Sequence, residues 1–451
     1  MKRKEFIKNV GLVGAGTLAG PLLFPSATKL FSTPRSGNAD FVVYVMFAGG
    51  VRQQESVLQR YLTDSQNISG SGYEGNIMPN LLNGALPTNK IVFGTDQPGG
   101  LKGSLPIPKI LSTTLQQQGV LFPEVKAAGV GHYTGLCTLL TGTSIVNQGL
   151  RQRPSYPTIF EYARKFLNLP ASQTWFVGNG IGNSVPLLNY SSHPDFGLKY
   201  GANFIAPNVT FGTEGRNQIG DVKSYHPEEE LGPVYQMKAF LDQNFGLEAT
   251  EYGGIENNKD EKHDIKKFFE EMFRKKQLGI IANPPVADNG DMTTIGYACE
   301  VLKWFKPKVL VLNLNNVDTC HGNFTSYLAA LHRADQAVGH LWNFIQTQIP
   351  DMAGRTFMMV SPEHGRNLEP NTVLDENNWK AYDHSDLNTT RIFSMMVGPG
   401  VPNNLVVGSE SNPVGDISDG ILTLAEALGI KQQVVNEGLV SGNSRSLFDR
   451  I

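Results

Sequence analysis

The chain is poor in the features that mark several protein classes. Only three cysteines, Cys137, Cys299 and Cys320, occur in 451 residues. They cannot all pair, and their spacing frames no disulfide scaffold. No internal apolar run is long enough to cross a membrane. Neither sign of charge is in excess: 38 Lys and Arg against 41 Asp and Glu leave a net charge of -3. A nucleic-acid-binding surface and an acidic tail are therefore not expected. What remains is an ordinary globular composition, long enough for one large α/β domain with insertions or for two domains.

The first residues differ from the rest. Lys2, Arg3 and Lys4 form a basic start, followed by Phe6, Ile7 and Lys8 and a weakly apolar, glycine-rich stretch from Val10 to Phe24. This is the layout of an export signal. The order Arg3-Lys4-Glu5-Phe6-Ile7-Lys8 is similar to the twin-arginine type, with lysine for the second arginine. An amphipathic N-terminal helix is the alternative, which the glycines suit poorly. No cysteine follows, which speaks against a lipoprotein anchor. Residues 1–36 are read as signal and linker, with cleavage near Ala27 to Ser36, and the mature chain as periplasmic or secreted without an integral membrane span.

The body of the chain alternates apolar strands with amphipathic helices. Phe41 to Phe47 reads as a strand closing on Ala48-Gly49-Gly50, where paired glycines allow a tight turn. Residues 65 to 108, rich in Gly, Asn, Ser and Pro, read as a surface excursion. Leu111 to Gln118 is expected to be a short helix, Val130 to Gly142 a loop carrying Gly131-His132-Tyr133, Pro157 to Leu167 a helix and Thr174 to Gly178 a strand. Val234 to Phe245 and Lys262 to Leu278 look helical, within an insertion spanning about 185–290. Residues 37–451 are thus expected to form one three-layer α/β/α domain with a mostly parallel central sheet.

The chemistry concentrates between Lys308 and His384. The run Val309 to Leu314 reads as a strand buried on both faces, ending in a loop with Asp318, Thr319, Cys320 and His321. A long helix follows, then the strand Thr356 to Val360, which ends in Ser361-Pro362-Glu363-His364-Gly365-Arg366. Asp383 and His384 precede a further strand, Ile392 to Val397. Histidine paired with carboxylate at the carboxyl end of one sheet is a pattern for zinc, manganese or iron, zinc first, rather than calcium. The expected ligands are Asp318, His321, Glu363, His364 and His384. Cys320 is a ligand or, preferably, a small filler. His332 and His340, on the long helix, are read as structural.

The order of these pieces resembles the alkaline phosphatase and sulfatase superfamily. The matching pieces are Asp318 with His321, Glu363-His364-Gly365, His384, Leu140-Thr141-Gly142 after the nucleophile segment, and the tail from Gly398-Pro399-Gly400 to Leu428-Gly429-Ile430. The resemblance spans about 40 to 430 and implies an alkaline-phosphatase-like fold. Four departures stand out. Ala48-Gly49-Gly50 replaces the metal-binding Asp after the first strand. His132 falls where a Ser, Thr or Cys nucleophile is usual, with Thr134 as a weaker candidate. Asp318 and His321 are one residue closer than usual, and Glu363 stands for Asp. A twin-arginine-exported, sulfatase-like branch is the closer match. It is similar in the double glycine with Glu55 a few positions on, in His132, and in the Ser361 to Arg366 turn.

In that light Glu55 or His132 completes the metal site, and Arg52 and Arg366 hold an anionic substrate or pair with Glu55 and Glu363. The resemblance implies an exported metal-dependent hydrolase of phosphate or sulfate esters, acting on a small-molecule or glycan ester. The alternative is a non-catalytic descendant that binds a metal or glycan.

Overall fold

The computed structural model describes residues 39–60, 75–86, 107–145, 153–179, 188–212, 255 and 257–451. The expected export signal, the expected helix Val234 to Phe245 and most of the expected excursion at 65 to 108 lie outside the described residues.

Eight strands form one sheet: β1 Phe41–Phe47, β2 Gly119–Lys126, β3 Thr174–Gly178, β4 Asn203–Ile205, β5 Val309–Leu314, β6 Thr356–Pro362, β7 Arg391–Val397 and β8 Leu405–Val406. Their order is β4-β3-β5-β1-β6-β7-β2-β8. All neighbours pair in parallel except β7, which runs antiparallel to both β6 and β2. Among the described residues, seven helices of seven or more residues accompany the sheet: α1 His132–Thr141, α2 Ile159–Leu167, α3 Lys259–Leu278, α4 Gly290–Phe305, α5 Phe324–Gln348, α6 Asp419–Ala427 and α7 Lys431–Glu437.

Two neighbouring residues of β3 establish the layers, because successive side chains on a strand point to opposite faces. Trp175 packs on Phe305 of α4 and Phe268 of α3, with ring centroids 4.7 and 6.1 Å apart. Phe176 meets Phe160 of α2 at 6.4 Å. Helices therefore cover both faces, and every residue of β3, β5 and β6 is buried. Such strands read as continuous apolar runs for that reason.

β1 is where the connections diverge, with β5, β3 and β4 to one side and β6, β7, β2 and β8 to the other. Open α/β sheets bind ligands at such a point, beyond the carboxyl ends of the strands. The expected candidates flank it, on the loops after β5 and β6.

Several expectations need correction. The strand β2 was not expected. Pro123 lies inside it and cannot donate to the ladder, and the pairing with β7 shifts register between Phe122 and Val125. The stretch from Val130 to Gly142 is mostly the helix α1, not a loop. It closes on Gly142 at φ 72°, whose N–H bonds back to Thr138 O. Only Leu115–Gln118 of the expected early helix is helical. Residues 76–82, inside the expected surface excursion, are buried, and Asn80 and Leu81 donate to the buried Asp335. Within the stretch read as a peripheral insertion, β4 is an edge strand of the sheet itself.

Candidate metal centre

Three turns at the carboxyl edge of the sheet build the centre. After β5 the chain makes a 3-10 turn, Asn316–His321, which presents Asp318 and His321. After β6 it passes directly into Glu363 and His364, both fully buried. Between β6 and β7 a long loop carries Asp383 and His384. His384 precedes a strand, as expected, and does not follow one as the other two clusters do. It reaches the same edge because β7 is antiparallel, so that its first residues lie beside the last residues of β6.

The fourth contribution comes from α1. The strand β2 also ends at this edge, where Ala127 N donates to Thr390 O at 2.8 Å. Helix α1 then begins with His132. Gly135 lets the helix lie against the turn after β6: a Cβ there would stand 2.5 Å from the Glu363 carbonyl oxygen. His132, one turn earlier, is thereby set over the Glu363 side chain.

The Gly49-Gly50 turn passes between these loops with no room for side chains. A Cβ on Gly49 would stand 2.5 Å from Asp318 N, and one on Gly50 2.5 Å from His364 Nδ1. Both glycines have positive φ, 111° and 80°. The backbone takes over instead: Gly49 N donates to Glu363 Oε1 at 2.5 Å, and Gly49 O accepts from Arg366. The turn thus has no room for a side-chain ligand after the first strand.

Three histidines are each anchored outward through Nδ1. His364 Nδ1 donates to Gly365 O at 2.7 Å, His384 Nδ1 to Val130 O, and His321 Nδ1 to Asp383 Oδ1 at 3.0 Å. Each is left with Nε2 turned toward the centre. Anchoring one ring nitrogen outward is how proteins orient metal-binding imidazoles. The Nε2 atoms of His321 and His384 face each other at 3.1 Å. With both Nδ1 protons engaged elsewhere, two acceptors meet there, and a cation or an added proton must lie between them.

The remaining spacings fit the same conclusion. Asp318 Oδ1 lies 3.3 Å from His321 Nε2 and 3.4 Å from His132 Nε2. His364 Nε2 lies 3.3 Å from Glu363 Oε1 and 3.1 Å from His132 Nδ1. Ligands 2.0–2.1 Å from a tetrahedral zinc stand about 3.3 Å from one another. Glu363 Oε2 is buried without a hydrogen-bond partner, which is costly unless a cation meets it. The donor set of imidazoles and carboxylates suits zinc, manganese or iron. Two groups of ligand atoms converge: His132, His321 and His384, and His132, Glu363 and His364.

Charge follows the same geometry. Burial acts to raise the pKa of Asp318, but the close approach of His321 and the charges of His132 and Arg366 bring it down to about 2. Burial, with the charges of His364 and Arg366, lowers His384 to about 4. His384 is thus a neutral ligand through the physiological range. For His132 burial acts to lower the value, and the Glu363 hydrogen bond and the Glu363 and Asp318 charges raise it above the ordinary range.

Other expected site residues lie elsewhere. Glu55 does not join the centre. Its carboxylate accepts from Arg52 Nε at 2.8 Å and from Arg52 Nη2, and both residues are buried. Arg52 is also spent, donating to Leu368 O at 3.1 Å and stacking on Tyr382 at 3.6 Å. Arg366 is fully buried and clamps Asp318 Oδ1 at 3.0 Å, Tyr382 O at 3.2 Å and Gly49 O. Arg52 is therefore taken up by Glu55, and Arg366 positions Asp318 while its buried Nε has no hydrogen-bond partner among the described residues. Thr134 sits beside Gly129 and Gly131. Cys320 is a filler, its thiol pushed up to about 12 by burial. His332 and His340 hydrogen-bond backbone carbonyls of Ile77 and Ala282, as expected of structural histidines. The residue that sequence reasoning undervalued is Asp383, the anchor of His321. Its place next to His384 was the available signal.

No family model matches the chain, and no curated protein matches it. Among solved structures, a protein in the alkaline phosphatase superfamily from Vibrio parahaemolyticus is 11% identical at a TM-score of 0.40, covering 87% of this chain and 67% of that one. The lipoteichoic acid synthase LtaP from Listeria monocytogenes is 12% identical at 0.40, covering 92% and 75%. A mutant of the TAB5 alkaline phosphatase, with Mg bound in the M3 site, is 10% identical at 0.38, covering 87% and 98%. Scores this low assign neither a substrate nor a reaction to this chain.

Proposed function

We propose that the protein is an exported, metal-dependent hydrolase of phosphate or sulfate esters of small molecules or glycans. One observation carries the reading: His132, His321, His364 and His384 converge with Asp318 and Glu363 beyond the ends of β5, β1 and β6, with an orphaned carboxylate oxygen among them. Export rests on the basic and apolar start of the chain. N-terminal sequencing of native material starting at Met1 or Lys2 would rule export out.

Asp318, His321, Glu363, His364 and His384 would hold divalent metal, zinc first, which would supply Lewis acidity toward the ester and toward water. The chain's own residues supply position. Asp383, Val130 and Gly365 fix three imidazole rings, and Arg366 fixes Asp318. Helix α1 begins at the centre with Gly131 as its N-cap, so no side chain caps its first N–H groups. Those groups favour the anionic oxygens of an ester. His132 occupies the place of the superfamily's nucleophile, so water is the attacking group.

A second reading, a metal- or glycan-binding protein without catalysis, draws support from the pairing of Arg52 with Glu55 and from the missing hydroxyl at His132. Metal analysis of the purified protein separates the readings from failure of both. Retention of a divalent ion by the wild type, its loss from His364→Ala, and metal-restored cleavage in a panel of phosphate and sulfate esters support the hydrolase. A metal-loaded protein that cleaves none of them supports the binding protein. A wild type that takes up no divalent ion defeats both.

A further inference from the structure

His132 departs from the pattern of the other three histidines. His321, His364 and His384 each anchor Nδ1 outward and turn Nε2 inward. His132 has no outward anchor among the described residues. Its Nδ1 lies 2.6 Å from Glu363 Oε1 and 3.1 Å from His364 Nε2. Its Nε2, on the opposite side of the ring, lies 3.4 Å from Asp318 Oδ1. The ligand atoms accordingly fall into two groups, one with Glu363 and His364 and one with His321 and His384, and His132 belongs to both.

We propose that His132 is shared between two cation positions. Nδ1 serves the position formed with Glu363 and His364, and Nε2 the position formed with Asp318, His321 and His384. The proposal rests on the metal-centre reading above and deepens it. A ring that gives a lone pair to each of two ions carries no N–H, so His132 is held as imidazolate, its proton released to solvent. Its negative charge stands in for the missing first-strand carboxylate, for which the Gly49 turn has no room. The shared ring also accounts for the missing hydroxyl at this position: the residue there is a ligand to both ions, not the attacking group. Its first-turn place on α1, pressed onto the Glu363 backbone through Gly135, holds it between the two groups.

Copper(II) is the probe, because nitrogen-rich sites take it up ahead of other first-row divalent ions. The metal-stripped full chain is loaded with Cu(II), its copper counted by mass spectrometry and its spins by electron paramagnetic resonance. The expected result is two ions per chain with a spin count well below two, since spins across an imidazolate couple antiferromagnetically. In His132→Ala, with folding checked by circular dichroism, fewer than two ions, or two that count in full, support the shared ring. His132→Gln serves if the alanine variant does not fold. One ion or none per wild-type chain overturns the proposal. So do two fully counted spins in the wild type, or coupling that persists without the imidazole, which would place the bridge on a carboxylate. A coupled pair in a protein that cleaves no ester leaves the shared ring standing and sinks only the hydrolase reading.

Discussion

Glu363 Oε1 and His132 Nδ1 stand 2.6 Å apart although 231 positions of chain separate the two residues. Burial acts to raise the Glu363 carboxyl, but the hydrogen bonds of His132 and His364 hold it below its ordinary value. The same pairing lifts His132 above its own. Without a cation the two form a charged pair in a buried setting, with Glu363 Oε2 left over.

Glu363→Gln removes that charge with little change of shape. In metal-free protein His132 is expected to titrate at lower pH than in the wild type, read from its imidazole resonances by nuclear magnetic resonance. Uptake of metal at the Glu363 and His364 position should be lost with it. A His132 titration that does not move would show that the pairing is not what lifts it.

Asp383→Asn tests the outer support of the centre. Asp383 touches the site only through His321 Nδ1, at 3.0 Å. Loss of such an anchor costs about 10–100-fold in metal affinity. Because the Asp383 side chain is half exposed, folding stability should change by no more than about 0.5 kcal/mol. Calorimetric titration with zinc measures the first and urea unfolding the second. An unchanged affinity would remove Asp383 from the site.

Part of this was legible from the residues alone. The strand Val309–Leu314 announces itself because a parallel strand buried on both faces is apolar throughout. His321, His364 and Asp318 follow from it and from β6, since a strand's carboxyl end is a fixed address in such a sheet. His384 was legible as a residue before a strand, but not the antiparallel run of β7 that brings it to this edge, because strand direction is set by pairing partners far away in sequence. β2 was illegible because Pro123 breaks the alternation that would mark a strand. The Arg52–Glu55 pair stayed open between two readings for a different reason: a buried ion pair and a ligand set use the same residue types, and only burial and geometry separate them.

Gly49→Asp restores the residue that the superfamily resemblance leads one to expect after β1, and it should fail. The new Cβ would meet Asp318 N at 2.5 Å and Asp318 Cβ at 2.6 Å, at a φ of 111° that side chains rarely adopt. Strain and overpacking together should cost on the order of 3 kcal/mol. Gly354→Ala is the control. Its φ is 65° with nothing within 4 Å of the new Cβ, so only the left-handed backbone penalty of about 1–2 kcal/mol applies. Chemical denaturation of both variants decides it. A Gly49→Asp protein as stable as the wild type, with added metal affinity, would mean that the turn has room after all.

The last test concerns acid stability away from the centre. His332 is 1% exposed, donates Nδ1 to Ile77 O at 2.7 Å and accepts at Nε2 from Ile107 N at 3.0 Å. Burial first, then the charge of Arg333, lowers its pKa from 6.5 to about 4, against the raising effect of the Ile77 bond. The folded protein thus keeps this ring neutral where the unfolded chain would protonate it. Its stabilising contribution is therefore full above the unfolded value and is lost as pH falls from 6.5 toward 4. By about pH 4.5 the loss should reach roughly 2–3 kcal/mol. His332→Gln can keep one donor and one acceptor but has no proton to gain. Urea unfolding of metal-free protein at about pH 7 and about pH 4.5 should show the wild type losing more stability than the variant by that amount. Equal losses in the two proteins would mean that His332 protonates in place, and that the contacts with Ile77 and Ile107 yield to the charge.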